Sequence, residues 1–116
     1  DVLGKVSMSK RRTLKAWKQI KKRLRSGRMN DLKLAVLEAD KVLDVVLRMA
    51  GYPGVNLDER LEQMDSSQLS NIEEVRQAHK FRKRISSEPD FVISYNDTLV
   101  IIGIYKQAFQ ELNLIE

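Results

Sequence analysis

Apolar residues recur along this chain at intervals of three and four, the period of an α-helix with one buried face. Leu14, Trp17, Ile20 and Leu24 form a narrow seam in a basic stretch, which predicts an outer helix from about Ser9 to Ser26, stopped by Gly27 and anchored by Trp17. Leu32, Ala35, Val36, Ala39, Val42, Leu43, Val46 and Met49 make one broad face, widened by Leu34, Leu37, Val45 and Leu47. That width predicts a central core helix, capped at Asn30 and ending near Ala50, before Gly51 and Pro53. Asn56 with Glu59 reads as a capping box for a short helix to about Met64, its inward residues Leu57, Leu61 and Met64. Ser70 with Glu73 reads as a second box, opening a helix to about Ser86 whose face includes Ile72, Val75, Ala78, His79, Arg82 and Ile85. Pro89 ends that run. Ser94 with Asp97 opens the last helix, to about Leu112, with Leu99, Ile101, Ile102, Tyr105, Ala108, Phe109 and Leu112 inward. The β-branched cluster at 98–104 makes a strand the competing assignment there; the cap and the continued helical spacing favour helix. The fold expected is all-α: a compact antiparallel bundle of four longer helices plus one short helix.

Length and composition narrow the picture. With 116 residues the chain holds one domain, read as 9–116, preceded by a basic linker or fragment start at 1–8. The absence of an initiator Met and of a signal-peptide pattern predicts a fragment excised from something longer. Apolar residues at 42% suit a globular domain. Zero cysteines exclude disulfides and thiolate zinc sites, and a single histidine excludes any site needing two imidazoles. No run approaches the ~20 apolar residues of a membrane span. No cofactor or metal is expected. Glu38, Asp40 and Asp44 are the few acids of the second helix, and no second carboxylate cluster stands nearby in sequence to make them a catalytic pair.

Charge changes the picture more. Residues 1–28 carry eleven Lys or Arg against the single acid Asp1, a net +10, while the rest carries ten bases and fifteen acids, a net −5. A dense basic helix suits phosphate-bearing partners, either an anionic membrane surface or RNA. A merely solvated face is the alternative. Arg11, Arg12, Lys15, Lys18, Lys22 and Arg25 are the candidate polyanion-binding residues. Trp17 is the only aromatic in the segment and is expected to be buried, which favours lipid over RNA, because single strands need exposed rings to stack on. A basic segment of this density is also what the positive-inside rule places next to a span, so a cytoplasmic location with membrane association through a segment outside this sequence is expected.

One stretch carries a family resemblance: Ala78-His79-Lys80-Phe81-Arg82-Lys83-Arg84-Ile85-Ser86-Ser87. It resembles the arginine–histidine signature of the HEPN helical-bundle family, in which an Arg followed by a polar residue precedes a His by four to six positions. The order AVLEADKVLDVVLRMAGYPG, LDERLEQM, AHKFRKRISSEPDF and IYKQAFQELNLI is similar to small bacterial proteins of that type, over about residues 14–116. The resemblance implies a helical bundle that forms homodimers and, in active members, metal-independent RNA cleavage by two facing signatures. The match departs where the chemistry lies. Arg82 is present, Lys83 stands where Asn or Asp is usual, and Ser87, Glu88 and Pro89 occupy the positions of the histidine. His79 lies one turn before Arg82 and cannot replace it, and serine cannot act as a general acid or base near neutral pH. The degenerate signature Arg82, Lys83 and Ser87 therefore implies a non-catalytic interaction or oligomerisation domain. The other readings are an RNA-binding or weakly RNA-cleaving toxin-type module and a purely structural helical domain. Taken without the family, Arg82 on an inward face needs a carboxylate, carbonyl or phosphate, and His79 reads as a hydrogen-bonded core histidine.

Overall fold

The computed structural model describes the backbone of residues 2–116, with the side chains of residue 4 and of 7–116. Five helices follow one another: α1 (Val2–Ser26), α2 (Met29–Met49), α3 (Leu57–Glu62), α4 (Ile72–Ser87) and α5 (Tyr95–Glu111). Among the described residues there is no strand, and 98–104 lies wholly within α5. The expected antiparallel bundle of four longer helices and one short one is the fold found.

α2 is its axis, packing against each of the other four helices, while α4 also packs on α3 and α5. The core runs through Val36, Leu43 and Leu47 of α2, Val75 of α4, and Tyr105 and Phe109 of α5, all essentially inaccessible. α1 lies along α2 and is tied to α5 by the edge of the Trp17 ring on Phe109, centroids 6.5 Å apart. At 1.5 Å per residue its 25 residues span roughly 37 Å, in a molecule 41 Å along its longest axis.

The punctuation is local and follows the side chains. Gly27 (φ 68°) ends α1 and leaves a two-residue turn. Ser26 accepts from the Arg28 amide and donates to Asp31, so α2 begins at Met29 with Arg28 as its N-cap, and Asn30 lies inside the first turn. Gly51 (φ 94°) closes α2 in a Schellman motif, its amide bonded to Arg48 and that of Tyr52 to Leu47. Asn113 (φ 60°) does the same for α5. Asn56 and Ser94 cap α3 and α5 by accepting from the amides of Glu59 and Asp97.

Besides the Asn30 cap, four expectations need correction. α1 starts at Val2, so the described part of the 1–8 stretch is helical. Leu14 is 47% exposed, and the buried seam runs instead through Ser9, Thr13, Trp17 and Ile20, whose small hydroxyl residues let α1 lie close to α2. Leu34 and Leu99 also face outward. The Ser70–Glu73 box does not form: the amide and hydroxyl of Ser70 donate to Glu111 of α5, Glu73 pairs with Arg76, and α4 begins after Asn71.

Candidate functional site

Two features stand out: a buried ion network between α2, α3, α4 and α5, and the outer face of α1.

The network centres on Asp40, 3% exposed in the middle of α2. One of its oxygens accepts from the Tyr105 hydroxyl at 2.7 Å and faces His79 Nδ1 at 2.7 Å. The other lies 3.3 Å from Arg82 Nε. On the far side of the imidazole, Asp58 Oδ1 sits 3.3 Å from His79 Nε2 and accepts from Lys83 Nζ at 3.0 Å. The His79 Nε2 and Arg82 Nε contacts are close enough for charge attraction but lack hydrogen-bond alignment. The local reason for the arrangement is helical spacing. Positions 79, 82 and 83 share one side of α4, so a single turn offers three basic side chains to one carboxylate from α2 and another from α3.

Protonation follows from these neighbours. For His79, burial is the largest influence and opposes charge, but the hydrogen bond and charge of Asp40, joined by the nearby charge of Asp58, outweigh it and raise the imidazole above its ordinary value. With a carboxylate at each nitrogen, the doubly protonated ring is the form that fits. Burial of Asp58 is outweighed by Lys83 and His79, which hold its carboxyl below the ordinary range. Burial first, then the charge of Asp40, push the Tyr105 phenol well upward, so it stays a neutral donor.

Each candidate signature residue is committed within the fold. Arg82 faces Asp40, Lys83 binds Asp58, and the Ser87 hydroxyl donates to the Lys83 carbonyl at 2.9 Å. Beyond Asp31 in the first turn, the acids of α2 diverge rather than pair: Glu38 lies 3.8 Å from Arg23, Asp40 faces His79, and Asp44 accepts from the buried Arg60 at 2.6 Å. Comparison of the chain with protein-family models, with curated proteins and with solved structures finds no match. Among the described residues no group of three or more His, Cys, Asp or Glu side chains could hold a metal ion.

A small open cleft of about 250 Å³, lined by Asp58, Leu61 and Lys80 among others, reaches His79. With both nitrogens facing carboxylates, the ring has no free lone pair to act as a base on anything entering there. Sequence reasoning placed His79 and Arg82 inward but missed Asp40 as the hub, with Tyr105 and Asp58 as its extensions. A carboxylate at position 40, amid the apolar positions 36, 39 and 43, was the available signal.

The outer face of α1 is the second feature. Arg11, Lys15, Lys18, Lys22 and Arg25 alternate by four and three, an arc of roughly 80° at 3.6 residues per turn, and Arg12 lies beside them. All six are exposed, and none has an ion-pair partner among the described residues. Arg23 instead turns inward, 3.6 Å from Asp31. Met8 and Leu14, half exposed, flank the stripe, while Trp17 is only 9% exposed. No helix among the described residues is long and apolar enough to cross a membrane.

Proposed function

We propose that this chain is a non-catalytic, HEPN-like interaction domain that docks through α1 on an anionic membrane surface at its cytoplasmic face. The stripe of five unpaired cations on one exposed arc of α1 carries this reading. Each Lys or Arg near an anionic surface contributes on the order of 1 kcal/mol, and only within a Debye length, roughly 8–10 Å. A single-sided stripe on one helix presents all five to the same surface together. The half-exposed Met8 and Leu14 add apolar contact at its margin. Burial of Trp17 supports lipid over RNA, since the segment then offers no ring for bases to stack on.

Co-sedimentation with vesicles containing anionic lipid, beside zwitterionic vesicles and an RNA titration at matched salt, tests the reading. Binding confined to anionic vesicles and abolished by Lys15→Glu/Lys18→Glu/Lys22→Glu is expected. Tight RNA binding near physiological salt without vesicle preference would overturn it. The non-catalytic part is supported by the engagement of Arg82 and His79 with Asp40. RNA should stay intact in metal-free buffer, and cleavage that Arg82→Ala removes would count against this.

Self-association belongs to the same reading. Val92, Tyr95, Leu99 and Val100 are all exposed at and before the start of α5, the helix after the signature. A homodimer is expected in sedimentation at micromolar concentration, and Leu99→Lys/Val100→Lys should shift it to monomer.

A further inference from the structure

An open groove of about 1120 Å³ runs between α1 and the segment that follows α5. Its apolar wall is Leu14 and Trp17 on one side and Leu114 and Ile115 on the other. Lys10, Arg11 and Lys21 stand along it, exposed and without ion-pair partners among the described residues. The acid in the lining is Glu116, whose main-chain oxygen, part of a second carboxylate in the 116-residue protein, accepts from Gln110. Positions 10, 14, 17 and 21 follow one line on α1, so the groove extends roughly 16 Å along the helix. An apolar trough of that length with cations along its rim is complementary to one alkyl chain bearing an anionic head. Gln110 and Asn113 complete the lining, so its four apolar residues form one strip flanked by polar side chains that can fix a ligand's orientation.

We infer that this groove binds the acyl chain of a single-chain anionic lipid, with its head on Lys10, Arg11 or Lys21. The inference rests on the membrane-docking reading and gives it a lipid chemistry. The groove lies beside the cationic stripe, and Arg11 belongs to both. A stripe held against headgroups would therefore bring the groove to the level where chains begin. The half-exposed Leu14 is explained by the same arrangement, since a seated chain would cover it.

Trp17 is the only tryptophan in the chain, and it lines the groove, so its fluorescence reports occupancy. The experiment titrates the 116-residue protein with monomeric lysophosphatidylglycerol carrying a brominated acyl chain, below its aggregation concentration. Saturable quenching is expected, at least tenfold tighter than for lysophosphatidylcholine of the same chain. Each fully buried methylene is worth roughly fourfold in affinity, so a half-sunk chain should gain about fourfold for every two methylenes added. Leu14→Gln/Ile115→Gln, both at positions not fully buried, should weaken quenching at least tenfold with an unchanged circular-dichroism spectrum. Should that variant misfold, Lys10→Glu/Lys21→Glu provides the second arm, and it should erase the preference for the anionic head. Lys15→Glu/Lys18→Glu/Lys22→Glu should keep the quenching while losing vesicle binding, which separates the two readings. Vesicle binding with no quenching by monomeric lipid, or with quenching equal in the groove variants, would overturn the groove and leave the docking surface standing.

Discussion

Replacing Asp40 by Asn removes one charge and changes almost no volume, so it isolates what the buried carboxylate does. Asp40 faces His79 at 2.7 Å, Tyr105 at 2.7 Å and Arg82 at 3.3 Å, and it is almost fully buried. An amide can still accept from one donor. It must then turn its NH2 toward another, and the imidazolium and guanidinium lose their counter-charge. Breaking a buried pair from one side costs about 3–5 kcal/mol, against a total stability of roughly 6–17 kcal/mol for a chain of this length. At about 4 °C per kcal/mol, the melting temperature should fall by roughly 12–20 °C.

The pH dependence makes the test specific. The raised pKa of His79 means that its stabilisation is complete below the ordinary value of 6.5 and is lost as pH climbs through the folded value. The lowered pKa of Asp58 works in the opposite sense: its contribution is complete above 3.8 and is lost as pH falls through the folded value. Wild-type stability should therefore plateau between those limits and decline on the alkaline side. In Asp40→Asn only Asp58 supports charge on the buried ring, so the alkaline decline should flatten. The gap between the two proteins should then be widest near pH 5–6 and narrow toward pH 9. Urea denaturation followed by circular dichroism across that range measures both quantities. A penalty under about 1 kcal/mol, or a gap of constant size at every pH, would refute the network as described.

Other substitutions probe single links. Tyr105→Phe removes one hydrogen bond to a charged acceptor and should cost about 1.5–3 kcal/mol in the same denaturation assay. Gly54 (φ 142°) would bring an added Cβ to 2.9 Å from the Cβ of Glu59, so Gly54→Ala should destabilise by on the order of 1–3 kcal/mol. Gly103 lies within α5 with open space around it, so Gly103→Ala should instead stabilise by up to about 1 kcal/mol in a parallel melt. Ser94→Ala removes the α5 cap and should cost about 1 kcal/mol.

These features differ in how visible they are from sequence, and the difference tracks the distance over which each is decided. Asn56 and Ser94 cap as their spacing indicates because both partners lie within one turn. Ser70 carries the same signature and fails because Glu111, 41 positions away, takes its donors. The helical nature of 98–104 follows from the Ser94 cap and the face of Ile101, Ile102 and Tyr105, which outweigh a local β-branched preference. On α1, two adjacent lines satisfy the helical period, one through Leu14 and one through Thr13. Close approach to α2 selects the smaller side chain, and hydropathy alone ranks them the other way. For Arg82 and His79 the sequence calls for buried polar partners, but which carboxylate answers is settled by the docking of α2 on α4.

The two charged features also place opposite demands on the fold. In the interior, opposite charges meet at contact distance where α2, α3, α4 and α5 pack together. On α1, like charges are set side by side. Successive stripe residues are helical neighbours, and each such pair destabilises a helix by about 0.2–0.5 kcal/mol, so the four pairs from Arg11 to Arg25 together cost roughly 1–2 kcal/mol. The packing of Trp17 and Ile20 against the core offsets this and holds α1 in place. An anionic surface that neutralises the stripe removes the repulsion, so binding and folding are linked: whatever binds the folded stripe stabilises the domain. The free protein therefore carries a repulsion along the cationic arc that a bound polyanion would relieve.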